Sequence, residues 1–189
     1  NEKNKMNIFV LCTGRSGSVS LYKICKHIEN YTSDHESRKS LDFSYNENHI
    51  EIDNRLCWFL GRLDQTYGDN AIYIHLKRDK NKIAESYSKR FYYKRGISMG
   101  YKYNLLRTKQ RSEKNDLEIC KDMIETMESN ISLFLKDKTK TLEINLETFK
   151  EDISKFWNYI NAKGSLENAL KELDTIHNPS KKSLIKKIK

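Results

Sequence analysis

The sequence predicts a three-layer α/β/α domain with a mostly parallel central sheet. Three observations carry that reading. Short apolar runs alternate with stretches of helical periodicity, the pattern of β-α-β units. A glycine-serine turn joins the first run directly to the first helix. The 189 residues contain one proline and no linker-like stretch, which fits one domain over residues 1–189.

The run Met6 to Cys12 is short, β-branched and aromatic, and reads as a buried strand. Leu21, Ile24, Cys25 and Ile28 then fall at i, i+3, i+4 and i+7, which is one face of a helix. Residues 31–50 look polar and irregular and hold the pair His35-Glu36. Ile52, Leu56, Phe59, Leu60, Leu63 and Tyr67 predict a second helix, opened by Asp53-Asn54. Ala71 to Leu76 is the next strand, ending in Lys77-Arg78-Asp79, and a helix is expected over about 81–90. Residues 91–112 are basic and aromatic with weak periodicity. Leu117, Cys120, Ile124, Met127, Ile131 and Phe134 predict a long helix. Thr141 to Asn145 suggests a third strand. Helices are expected after it from Phe149 and over 165–173, followed by a lysine-rich tail.

Composition narrows the function classes. The formal charge of +9 favours a polyanionic partner such as a nucleotide, nucleic acid, acidic glycan or membrane face, without choosing among them. Twenty aromatic residues (11 Tyr, 7 Phe, 2 Trp) argue against disorder. Cys12, Cys25, Cys57 and Cys120 lack CxxC or zinc-type spacing and sit in apolar stretches, so buried free thiols and a cytoplasmic setting are expected. No run approaches the ~20 apolar residues of a membrane span, and no secretory signal is visible.

The chemistry concentrates in Gly14-Arg15-Ser16-Gly17-Ser18. A tight turn from strand to helix gathers unpaired N–H groups around one point, and glycine permits the backbone angles this needs. Arg15 adds fixed charge; Ser16 and Ser18 add hydroxyls. A plain glycine-serine turn would share this composition, but the flanking strand and helix favour a phosphate. The kinase motif GxxxxGK[ST] needs lysine after its second glycine, where this chain has Ser18.

Arg15-Ser16-Gly17-Ser18 after a hydrophobic strand resembles the 5′-phosphosulfate loop of PAPS-dependent sulfotransferases (PAPS is 3′-phosphoadenylyl sulfate). The family's second signature is a strand ending in arginine and a serine eight residues on, matched by Arg78 and Ser86. The resemblance is sharp over about 6–30 and 70–90. It implies a P-loop NTPase-like sulfotransferase fold, with Gly14, Arg15, Ser16, Gly17, Ser18 and Val19 on the phosphosulfate, and Arg78 and Ser86 on the 3′-phosphate. Asn178, with Ser180, would close over the nucleotide, and residues 91–135 would be the variable helical region that shapes the acceptor pocket. Arg15 stands where many members have lysine, and the proline often found after the Asp79 position is missing. The resemblance further implies sulfuryl transfer to a hydroxyl or amine of a small-molecule or glycan acceptor, with adenosine 3′,5′-bisphosphate (PAP) as product and no metal. Glu36 is the first candidate for general base and His35 the second; Arg15 would stabilise the leaving charge.

Two other classes compete. A P-loop small-molecule kinase would need the missing lysine and a strand-end aspartate for Mg²⁺. A nucleic-acid module would use the net charge and Lys89-Arg-Phe-Tyr-Tyr-Lys-Arg95. An acceptor-pocket wall explains that stretch equally well, and nucleic acid is not the expected partner.

Overall fold

A computed structural model describes residues 6–39, 43–91, 96–108 and 116–174. Five strands form one sheet in the order β2-β3-β1-β4-β5: β1 (Asn7–Cys12), β2 (Thr32–His35), β3 (His49–Ile52), β4 (Ala71–Lys77) and β5 (Thr141–Asn145). Every pairing between them is parallel. A parallel sheet covered on both faces calls for strands that are apolar throughout, and all six residues of β1 are buried.

The two faces carry different helices. Ile8, Val10, Cys12, Ile50, Ile52, Ile74, Leu76 and Ile144 pack against α1 (Ser18–Cys25), α6 (Phe149–Tyr159) and α7 (Leu166–Lys171). Phe9, Leu11 and Tyr73 point the other way, toward α2 (Leu60–Tyr67), α3 (Lys80–Ser88) and α5 (Asp116–Leu135). Between α3 and α5 lies a short helix, α4 (Ile97–Gly100), which continues as a π-turn over Tyr101–Leu105. No helix among the described residues is long and apolar enough to cross a membrane.

This topology fixes where a ligand belongs. The chain leaves β1 through α1 toward β2, but leaves β4 through α3 and α5 toward β5, on the opposite face and in the opposite direction. The loops after the neighbouring strands β1 and β4 therefore diverge, opening a crevice at their carboxyl ends. Such switch points are where open α/β sheets bind ligands.

Two expectations change. Residues 31–50, read as irregular, contain β2 and the first half of β3. The stripe from Ile52 to Tyr67 is not one helix either. Ile52 closes β3, and Asp53 caps a 3₁₀ turn over Asn54–Trp58 by accepting from the Arg55 N–H; α2 starts only at Leu60. The long helix of 117–134 appears as α5. Ser165 caps α7 by accepting from the Asn168 N–H at 3.2 Å. All four cysteines are free and buried, as expected. Burial pushes the thiols of Cys12 and Cys120 up to about 12 and raises those of Cys25 and Cys57 as well.

Candidate active site

The loop between β1 and α1 is built from left-handed backbone. Gly14, Arg15 and Gly17 have φ of 74°, 57° and 98°. For Arg15 this conformation is uncommon, and residues held this way concentrate at ligand sites. Gly14 has a second reason to be glycine: a Cβ there would lie 2.3 Å from the Tyr87 hydroxyl and 2.6 Å from Asn54 Nδ2. Helix α1 begins at Ser18 with no side-chain cap and no acid in its first turn. Its first N–H groups and positive dipole end therefore stay available to an anion. The Ser16 hydroxyl is buried and finds no hydrogen-bond partner among the described residues, a deficit that an oxyanion at the loop would repair.

Residues from three other segments converge on this loop. Arg78, at the end of β4, donates Nη1–H to the Arg15 carbonyl at 2.8 Å. Arg15 in turn donates Nε–H to Ser86 Oγ at 3.0 Å. The Tyr87 hydroxyl donates to the Thr13 carbonyl at 2.7 Å, bracing the loop from below. Asp79 caps α3 by accepting from the Lys82 N–H at 2.9 Å, which turns the chain immediately after Arg78.

His35 and Glu36 arrive from the end of β2. His35 Nε2 lies 3.0 Å from Ser18 Oγ, so the imidazole is tied to the first residue of α1. Glu36 is also left-handed, with φ of 52°. Its N–H donates to the Ile52 carbonyl at 3.0 Å, and its Oε1 accepts from Asn54 Nδ2 at 3.1 Å. One residue on, Ser37 is clamped by the buried Glu51 of β3. Glu51 accepts from the Ser37 N–H at 2.9 Å and from the Ser37 hydroxyl, and lies 3.2 Å from His49 Nε2. Burial alone would push the Glu51 carboxyl up; the bonds from His49 and Ser37 outweigh it and hold the group below its ordinary value.

Burial and the nearby guanidiniums of Arg90 and Arg78 lower the Arg15 pKa from the ordinary arginine value. Arg78 and Arg90 thus add positive charge beside Arg15 near the start of α1.

Gly14 to Val19, Arg78, Ser86, His35 and Glu36 thus form one constellation. Asn178, with Ser180, falls outside the described residues. Sequence reading missed Tyr87 as a brace and Arg90 as a neighbour of Arg15. The signal was present in both cases: Tyr87 follows Ser86 on α3, and Arg90 lies two residues beyond the end of that helix at Ser88.

No family model matches the chain, and no curated protein matches it in sequence. Mouse sulfotransferase SULT7A1, solved in complex with PAP, is similar in structure with a TM-score of 0.55 at 14% identity, over 90% of this chain and 64% of that one. The fold is the sulfotransferase fold. The chain spans just under two thirds of that neighbour's length.

Proposed function

We propose that the chain is a PAPS-dependent sulfotransferase acting on a hydroxyl or amine of a small-molecule or glycan acceptor. The observation that carries this reading is the link between the two anion-binding segments. Arg78 holds the backbone of Arg15 while Arg15 reaches Ser86, so the β1 loop and α3 are joined across the switch point. The PAP-bound sulfotransferase neighbour supports the same reading.

The residues suit the donor. The loop N–H groups, Ser16, Ser18 and Arg15 would hold the 5′-phosphosulfate; Arg78 and Ser86 would hold the 3′-phosphate. When bound, PAPS supplies the sulfuryl group and a PAP leaving group. Arg15 and the start of α1 would stabilise charge developing at the loop, since fixed donors need no reorganisation. Glu36 would accept the acceptor's proton. Its carboxylate is oriented by Asn54, whereas His35 is committed to Ser18 at the loop.

The test is calorimetric titration of PAP into the wild type, Arg15→Ala and Arg78→Ala. Wild-type binding that falls at least tenfold in each variant supports the proposal, each arginine supplying charge-assisted hydrogen bonds. A wild type that does not bind PAP overturns it.

A further inference from the structure

Among the described residues five large hydrophobic side chains are exposed, and three of them share the π-turn after α4. Tyr103 (38%), Leu105 (62%) and Leu106 (41%) stand within four consecutive residues. Arg107, exposed as well, follows at once with a left-handed φ of 54°. Clustered rather than scattered apolar exposure marks an interaction surface.

The turn is fastened from beneath. The Leu106 N–H donates to the Tyr101 carbonyl at 2.9 Å, the i to i+5 bond of a π-turn. Tyr101 is buried, and its hydroxyl donates to Asp122 of α5; Lys102 is buried too, and its Nζ donates to Asp116 Oδ1 at 2.7 Å. The Thr108 N–H returns to the Lys102 carbonyl at 3.2 Å. With Tyr101 and Lys102 turned inward and paired, residues 103–107 are displayed outward on a fixed platform.

That platform stands at the crevice end of the sheet. Lys80, which opens α3 just after β4, meets Glu125 of α5 at 2.7 Å, whereas Thr139, after α5, donates its N–H to Asp69 just before β4 at 2.9 Å. Helix α5 therefore runs against the strands. Asp116, nine positions before Glu125, lies roughly 13 Å farther toward the crevice end. Tyr101 also packs on Trp58, in the 3₁₀ turn that carries Asn54, with ring centroids 6.1 Å apart.

Charge and side-chain type select the partner. From Lys89 to Ser112 the sequence has eight Lys and Arg and no Asp or Glu. Such a segment attracts nucleic-acid phosphates and anionic lipid alike. The leucines discriminate, because nucleic-acid platforms stack bases on aromatic rings, while aliphatic side chains gain by burial among acyl chains. We propose that the π-turn is a peripheral docking surface for an anionic bilayer. Leu105 and Leu106 enter the acyl boundary, Tyr103 lies at the headgroups, and Arg107 meets lipid phosphates. Docked so, the chain turns the crevice end of its sheet toward the bilayer. The proposal is independent of the sulfuryl-transfer reading.

The test is co-sedimentation with phosphatidylcholine vesicles, with and without about 30 mol % phosphatidylserine. The wild type should bind the anionic vesicles at least about tenfold more tightly, and salt should weaken that binding. Leu105→Ser combined with Leu106→Ser should weaken it at least about tenfold, the scale of two lost aliphatic burials. Arg107→Gln should cost about fivefold. Leu133→Ser, near the other end of α5 where the side chain is 73% exposed, should change nothing. A solvent-sensitive fluorophore on Leu105→Cys should shift to shorter wavelength on anionic vesicles, and the same label on Leu133→Cys should not. No vesicle binding, binding that survives loss of both leucines, or an equal loss in Leu133→Ser overturns the proposal. A random-sequence oligonucleotide is the counter-probe. Tighter binding to it than to vesicles, lost with the leucines, assigns the surface to nucleic acid and also overturns the proposal.

Discussion

Glu36 and His35 are neighbours in sequence, yet with a left-handed backbone at Glu36 their side chains meet different partners. His35 meets Ser18, and Glu36 meets Asn54. Their substitutions should therefore separate. Glu36→Gln is expected to lower kcat by at least about 100-fold with PAP affinity unchanged, the scale of a lost general base. His35→Ala should weaken PAP binding instead. Steady-state kinetics with calorimetry checks both; retained turnover in Glu36→Gln removes it from the role. Gly14 offers a sharper steric test. Alanine there would meet the Tyr87 hydroxyl and strain a φ of 74°. We expect Gly14→Ala to cost about 2–3 kcal/mol in denaturant unfolding. Adding Tyr87→Phe should recover only part of that cost, because the backbone strain remains.

At the level of elements, the apolar strands and the two strand-to-helix junctions are legible in the sequence, and β2 and β3 are not. The reason lies in what these strands bury. Thr32-Ser-Asp-His35 is an edge strand whose exposed residues are polar. His49-Ile-Glu-Ile52 is buried throughout, including a histidine and a glutamate. Periodicity gives no strand signal at a buried Glu51, because its partners, His49 and Ser37, come together only after folding. The predicted helix from Ile52 failed similarly: its apolar spacing spans a strand end, a 3₁₀ turn and α2, which all feed the core. Glu51 also couples these elements to acidity. Its pKa is depressed by folding, so its contribution is complete above the unfolded value of about 4.3 and is lost as pH falls through the lower folded value. Glu51→Gln should cost roughly 1–3 kcal/mol at neutral pH. The gap between variant and wild type should narrow as pH drops below about 4, as urea midpoints at several pH values would show.

For the molecule as a whole, burial and the guanidiniums of Arg90 and Arg78 make it costly to keep Arg15 charged at the mouth of the sheet in the ligand-free fold. A bound polyanion such as PAP would offset that cost. PAP at about 100 times its dissociation constant should add about 2.7 kcal/mol and raise the thermal midpoint by roughly 5–10 °C. The gain should shrink as salt increases, since surface and half-buried charge is screened. Differential scanning fluorimetry over a salt series measures this, and an unchanged midpoint with PAP would contradict the charge argument.

The four buried thiols distribute themselves usefully over this architecture. Cys12 ends β1 beneath the β1–α1 loop, Cys25 ends α1, Cys57 lies in the 3₁₀ turn behind Asn54, and Cys120 lies in α5. Thiolate is the reactive form, and burial suppresses it at all four positions. Alkylation in the native state must therefore wait for the chain to open, and each cysteine times the opening of its own neighbourhood. The chain carries a built-in stopwatch at four stations, one of them directly under the loop that a nucleotide would hold shut.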